Sequence, residues 1–229
     1  MERVLEPELM NSLDQVKAYS EADFSDTDEL FLSKLIEFLT YQSIKEESLK
    51  LIIDLGCGPG NITERLSSRW PNTLVIGIDG SKEMINLANE RKVKKNLDNN
   101  NLLYYLMDIN LILGSSIEFV QSADLVVSNS CMHHLHDPFL FWRTVKYLLS
   151  QGGFLFHRDL RRPSSVQNCS DLMERYLPDA PAVLKKDYLA SLQAAFTPSE
   201  VRDQLKIFDF SSTQVYVCDD RYLQVIGIN

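Results

Sequence analysis

Nowhere in this chain do about 18 apolar residues run together, the length a membrane-crossing helix needs. The opening Met1-Glu-Arg-Val-Leu-Glu-Pro-Glu carries acidic residues where a secretory leader has its apolar stretch. The expectation is a cytoplasmic protein that makes no use of a membrane. Cysteine is scarce, and Cys57, Cys131, Cys169 and Cys218 form no C-x-x-C pair. Neither a zinc site nor a disulfide framework is therefore expected, and the four read as reduced thiols. Basic runs are absent too, beyond Lys92, Lys94 and Lys95. With 32 acidic residues against 23 basic and a net charge of −9, a phosphate-tracking nucleic-acid binder is a poor match and a soluble acidic surface suffices.

What is present is enough apolar material for one substantial core: 45% of 229 residues. A single domain over 1–229 is expected, existing as a monomer or homodimer, with a helical cover over 1–48 and a helical insertion over 160–205. Its organising stretch is Leu51-Ile-Ile-Asp-Leu-Gly-Cys-Gly-Pro-Gly60. A short apolar run reads as a buried strand, three glycines break it, and a helical pattern marked by Ile62, Leu66 and Trp70 follows until Pro71. Glycine lacks Cβ and takes positive φ, so backbone there can approach a nucleotide-like ligand lying across the strand end and helix start. The dinucleotide fingerprint G-x-G-x-x-G would need glycine or alanine at position 61, where this chain has Asn61.

The rest alternates. Residues 8–22 and 28–42 read as helices, the second with Leu30, Phe31, Leu35, Phe38 and Leu39 on one face after the capping candidates Asp26 and Thr27. Thr73 to Ile78 is a second strand ending at Asp79, about 20 residues past the glycines, where a carboxylate can accept both hydrogens of a ribose diol. The competing role for Asp79 is capping the helix that opens at Ser81. A helix carrying Met84 follows, then a polar loop from Lys92 to Asn101, and a third strand over Leu102 to Met107. The fourth strand, Asp124 to Asn129, has the continuous apolar centre of a strand covered on both faces. A helix over Phe139 to Leu149, a Gly152-Gly153 turn and a fifth strand, Phe154 to Asp159, come next. The insertion is broken at Pro163, Pro178 and Pro181, and its last helix opens with the capping box Thr197-Pro-Ser-Glu200. Ile207 to Cys218 and Tyr222 to Ile228 flank Asp219-Asp220-Arg221 as a closing hairpin.

The G-x-G-x-G turn behind an acidic strand residue, Asp54, followed by these ordered motifs, resembles the class I S-adenosylmethionine-dependent methyltransferases from Leu51 to the end. That resemblance implies an α/β Rossmann-like fold: a seven-stranded, mostly parallel sheet with an antiparallel last strand and helices on both faces. It implies S-adenosyl-L-methionine as cofactor, held by Asp54, Gly56, Cys57, Gly58, Gly60, Asp79 and Gly80. The adenine would be held by Met84, Asp108 and Ile109, and the methionine part would lie near Asn129. In many relatives leading helices close over the cofactor. Tyr19 to Phe24 resembles such a cover, with plain core filling as the alternative. The Asn-Pro-Pro-Tyr signature of amide- and exocyclic-amine-methylating enzymes is replaced by Asn129-Ser-Cys-Met, leaving a small-molecule oxygen, nitrogen or carbon acceptor open. A non-catalytic cofactor-binding or regulatory protein of the same fold is the alternative function. His133, His157 and Asp159 are the catalytic candidates and Arg161 a further contact, since a histidine beyond Asn129 has the pKa to take an acceptor's proton. His133, His134 and His136 lack metal-ligand spacing, so no metal is expected.

Overall fold

The structure is a computed structural model that describes residues 1–6, 13–97, 101–115, 117–210 and 212–229. Its centre is a seven-stranded sheet of order β3-β2-β1-β4-β5-β7-β6. The strands are β1 (Leu51–Leu55), β2 (Leu74–Asp79), β3 (Leu102–Leu106), β4 (Ala123–Asn129), β5 (Leu149–Leu160), β6 (Ser212–Val217) and β7 (Tyr222–Ile228). All neighbours pair parallel except β7, which runs antiparallel to both β5 and β6. The chain leaves β1 towards β2 and β3, then returns to β4 on β1's other side, so a crevice opens beyond the carboxyl ends of β1 and β4.

The helices are α1 (Leu13–Glu21), α2 (Ser25–Tyr41), α3 (Asn61–Arg69), α4 (Lys82–Lys94), α5 (Ile109–Ile112), α6 (Pro138–Leu148), α7 (Val166–Tyr176), α8 (Ala182–Ala194) and α9 (Pro198–Leu205). Alternation along the strands divides the core. Ile52, Leu125, Val127 and Phe156 face Phe31, Leu35 and Phe38 of α2 and Leu66 of α3. On the other sheet face Ile53, Val126 and Leu155 meet Phe141, Trp142 and Val145 of α6 and Val201 of α9. Fully burying each such side chain contributes roughly 1.5–3 kcal/mol, so α2, polar on its outer side, is fixed by its stripe rather than by propensity. A third cluster, with Leu160, Cys169, Leu172 and Leu192, holds the insertion together.

Several local expectations change. α2 begins at Ser25, where Asp23 accepts from the Ser25 backbone N–H at 2.9 Å, so Asp26 and Thr27 lie inside the first turn and not at its cap. The part of the first predicted helix over 8–12 lies outside the described residues. α4 runs to Lys94, well into the stretch read as loop. Asn101 is a tether whose Nδ2 donates to the carbonyls of Ser67, Trp70 and Thr73. Gly152 and Gly153 belong to β5, with the Gly152 N–H donating to the Asn229 carbonyl at 2.9 Å. The strand predicted from Ile207 starts only at Ser212, because Ile207 and Phe208 bond back to α9 and close its last turn. Thr197 and Glu200 form the predicted capping box.

Candidate active site

The turn after β1 is shaped by its glycines. Gly60 has φ +86°, and a Cβ there would stand 2.3 Å from the Tyr104 hydroxyl. Gly58, at φ +52°, has nothing within 4 Å of where its Cβ would be, so its bare backbone faces open space. That space is a cavity of about 190 Å³ in the crevice beyond β1 and β4. The tip of β2 sits against the turn: Asp79 accepts from the Gly58 N–H through Oδ2 and from the Ser81 N–H through Oδ1, both at 2.8 Å. The cap of α4 is Ser81 itself, whose Oγ accepts from the Met84 N–H, so the capping role weighed for Asp79 falls to its neighbour.

Four acidic side chains, Asp28, Asp54, Asp79 and Asp108, line this cavity, and among the described residues no lysine or arginine does. Asp54 is 1% exposed and accepts from the Thr63 hydroxyl at 2.6 Å. Burial, reinforced by Asp79 and Asp28, pushes its carboxyl up to about 7 despite that bond. Burial also raises Asp28, to about 6, against the pull of Arg65. Asp79 is raised by burial too, opposed by its two backbone donors. Asp108 caps α5 by accepting from the Asn110 N–H, and with Ile109 and Met84 it forms one wall. Asn129 Oδ1 accepts from Arg158 Nε at 2.9 Å, and Arg158 Nη2 donates to the Thr27 carbonyl. The ends of β4 and β5 are thereby tied to the start of α2.

A second cavity, of about 700 Å³, adjoins the first and is bounded by α1, the loop before α2 and the helices of the insertion. Tyr19, Phe24, Thr27, Ser130, His134 and Tyr222 border both spaces. The Tyr19 and Phe24 rings, 4.9 Å apart, therefore stand over the junction. His133 borders the larger cavity while only 2% exposed. Its Nδ1 lies 2.5 Å from Asp159 Oδ1, and its backbone N–H donates to Asp159 Oδ2. Burial pulls the imidazole down, but Asp159 and then Glu6 outweigh it and raise the His133 pKa. In the same exchange Asp159 is pushed up by burial and held lower, on balance, by His133.

The expected residues thus separate. Asp54, Gly56, Cys57, Gly58, Asp79, Gly80, Met84, Asp108, Ile109 and Asn129 all line the smaller cavity, and Gly60 stands behind it as the turn's hinge. Of the catalytic candidates, His133 faces open space and Asp159 reaches it only through His133. His157 is a correction: it borders neither cavity and is wedged against Phe141 and Trp142, with neither ring nitrogen hydrogen-bonded among the described residues and its pKa lowered by burial to about 4. Arg161 is likewise turned away, donating to the Asp219 carbonyl.

Sequence reasoning missed the amino-terminal strap. Arg3 donates to the carbonyls of His133, Leu135 and Ala194, and its guanidinium lies 3.8 Å over the Phe196 ring. Glu6 Oε1 comes within 3.1 Å of His134 Nδ1 and 3.6 Å of His133 Nε2. These three side chains place potential metal-ligand atoms within 4.8 Å of one another, the grouping of that kind among the described residues. As they stand they form a close electrostatic cluster in which burial pushes the Glu6 carboxyl up and His134, then His133, more than offset it. Spacing along the chain gave no signal for it, because Glu6 comes from the far end.

A family model described as a methyltransferase domain matches residues 46–203. Trans-aconitate 2-methyltransferase of Afipia carboxidovorans is 30% identical over 159 residues, 68% of this chain and 56% of the relative. Malonyl-[acyl-carrier protein] O-methyltransferase of a Paenibacillus species is 32% identical over 104 residues, 45% of this chain and 36% of that protein. The chain thus matches about half or less of these curated relatives' length. Among solved structures, the plantazolicin methyltransferase BpumL, crystallised with a monoazolic desmethylPZN analog and SAH, superposes with a TM-score of 0.72 at 20% identity, covering 95% of this chain and 90% of its own. A SAM-dependent methyltransferase from Aquifex aeolicus gives 0.65 at 19% identity, covering 93% and 96%. At these identities the structural likeness speaks for the fold.

Proposed function

The chain belongs to the class I S-adenosylmethionine-dependent methyltransferase family, and we propose that it transfers a methyl group from S-adenosylmethionine to a small-molecule acceptor. The observation that carries this reading is the lining of the smaller cavity: four acidic side chains, of which Asp54 and Asp28 are raised by burial to about 7 and about 6, and no lysine or arginine among the described residues. A dinucleotide's pyrophosphate would be repelled there, whereas a ligand bearing a sulfonium and an ammonium is attracted. The relatives' names, trans-aconitate and malonyl-acyl-carrier-protein methyltransferase, support a small-molecule or carrier-bound acceptor as a class. The larger cavity is of a size that encloses such a molecule.

When bound, the cofactor supplies an electrophilic methyl on sulfur. The chain's own part is to bind, orient and exclude water. Asp79 would accept from the ribose hydroxyls with lone pairs left over from its two backbone donors, and the wall of Asp108, Ile109 and Met84 would receive the adenine. Tyr19 and Phe24 cover the junction where the methyl meets the acceptor. The raised pKa keeps the His133 ring protonated to higher pH than an ordinary imidazole; once deprotonated, with Nδ1 donating to Asp159, its Nε2 would accept the proton of a hydroxyl or ammonium. Radiolabelled methyl transfer over a metabolite panel tests this. Turnover of at least one acceptor is expected, with His133→Asn lowering it by roughly two orders of magnitude while SAH affinity stays within a few fold. SAH binding without transfer to any acceptor would instead indicate a regulatory protein.

A further inference from the structure

His133 and His134 both line the larger cavity, and Glu6 reaches them from the amino-terminal strap. Glu6 Oε1 stands 3.1 Å from His134 Nδ1 and 3.6 Å from His133 Nε2, and the three atoms all lie within 4.8 Å of one another. The shorter distance is within hydrogen-bond range, yet Glu6 Oε1 and His134 Nδ1 are buried atoms with no hydrogen-bond partner among the described residues. A carboxylate oxygen and an imidazole nitrogen sealed from water and left unpaired carry a desolvation cost, which a cation shared between them removes.

The surroundings hold each of these side chains in place. His133 Nδ1 lies 2.5 Å from Asp159 Oδ1, the carboxylate-to-histidine contact that leaves Nε2 to face an ion. Glu6 Oε2 accepts from Ser191 Oγ at 3.3 Å, its carbonyl lies 2.9 Å from His136 Nε2, and Arg3 fastens the strap by donating to the carbonyls of His133 and Leu135. With neutral imidazoles, the carboxylates of Glu6 and Asp159 stand against the single guanidinium of Arg3, so the cluster is net anionic before an ion enters. Two imidazole nitrogens and one carboxylate oxygen are a donor set that zinc uses with an open fourth position. Tetrahedral zinc bonds hold neighbouring ligand atoms about 3.4 Å apart, between the two separations that Glu6 Oε1 makes here. Magnesium and calcium take oxygen shells and match the set poorly.

We propose that Glu6, His133 and His134 bind a zinc-type divalent cation at the wall of the larger cavity, with a fourth coordination position left to water or to a donor atom of whatever enters. The inference goes beyond the methyl-transfer reading and does not depend on it. A bound ion clips the amino-terminal strap to the residues that follow β4. It also takes the Nε2 lone pair that the ion-free protein would offer to an acceptor's proton, so the loaded protein presents a metal position to the cavity in place of a histidine base. Chain spacing gives no sign of the site, because its third ligand arrives from residue 6.

Zinc titrated calorimetrically into the full chain, first stripped of metal with a chelator, should bind at one equivalent with a dissociation constant of about 1 μM or tighter. Cobalt(II) loaded in its place should give the visible bands of a tetrahedral nitrogen and oxygen site, without the near-ultraviolet charge transfer of a thiolate ligand such as the exposed Cys218. Glu6→Gln and His134→Ala should each weaken zinc binding by at least about tenfold, whereas Cys218→Ser should leave it as in the parent. Melting curves of the metal-free variants show that each is folded, and the cobalt spectrum of the parent decides the ligand set without any variant. No saturable zinc binding below roughly 100 μM, thiolate charge transfer in the cobalt spectrum, or undiminished affinity in both Glu6→Gln and His134→Ala overturns the proposal. Binding of SAH, measured separately, bears on the methyltransferase reading alone.

Discussion

Asp54 is the residue whose environment departs furthest from what its position in the sequence announces. On β1 it reads as a polar marker before a glycine turn. In the fold it is a sealed carboxyl beside two others, and burial raises it to about 7. Because its folded pKa lies above its unfolded value near 3.9, its favourable contribution is fully present below that unfolded value. It is lost as pH rises through about 7, where the buried group must ionise. Asp54→Asn keeps an oxygen to accept from Thr63 and removes the charge. The variant should therefore melt at a higher temperature than the parent at pH 8 and at nearly the same temperature at about pH 3.5, below the unfolded pKa. Equal destabilisation at both values would mean that the hydrogen bond, and not the buried charge, governs the site. The carboxylate itself was legible in the sequence. Its perturbation was not, because that depends on Asp28 from α2 and Asp79 from β2 closing around it.

At the scale of elements, strand and helix order could be read with little loss, since buried parallel strands give continuous apolar runs and each glycine or proline break falls where the chain turns. Helix ends were less readable. α4 outlasts its apolar pattern by a charged turn whose Arg91 and Lys95 pair with buried Glu64 of α3, a partner distant in sequence. The amino-terminal cover was visible as helices, and the resemblance implied that Tyr19 to Phe24 closes over the cofactor, with core filling as the alternative. In the fold Tyr19 and Phe24 border both cavities, and the start of α2 beside them is anchored through the Thr27 carbonyl to Arg158 on β5. Cofactor binding should slow amide hydrogen exchange across residues 15–25, by about tenfold or more if the segment's opening is suppressed by 1.4 kcal/mol. Exchange equally fast with and without SAH would leave α1 as core filling.

For the whole molecule, the sheet order puts the glycine turn, the tip of β2 and the end of β4 around one crevice, and the insertion roofs a second space beside it. The first of these was legible because its residues sit at strand ends in a fixed order. The second was not, since its walls come from α1, α7, α8 and the β6–β7 turn, and no spacing rule links them. His157 shows the same limit: chain position puts it beside Asp159, yet strand alternation turns it under Phe141 and Trp142. We expect the smaller cavity to hold S-adenosylmethionine through Asp79. Titration calorimetry of SAH into the parent protein and Asp79→Ala tests it most directly. Two charge-assisted hydrogen bonds to the ribose should be lost, weakening binding by on the order of 2–3 kcal/mol, with NAD giving no heat in either protein. An unchanged dissociation constant in Asp79→Ala, or saturable NAD binding, would contradict it.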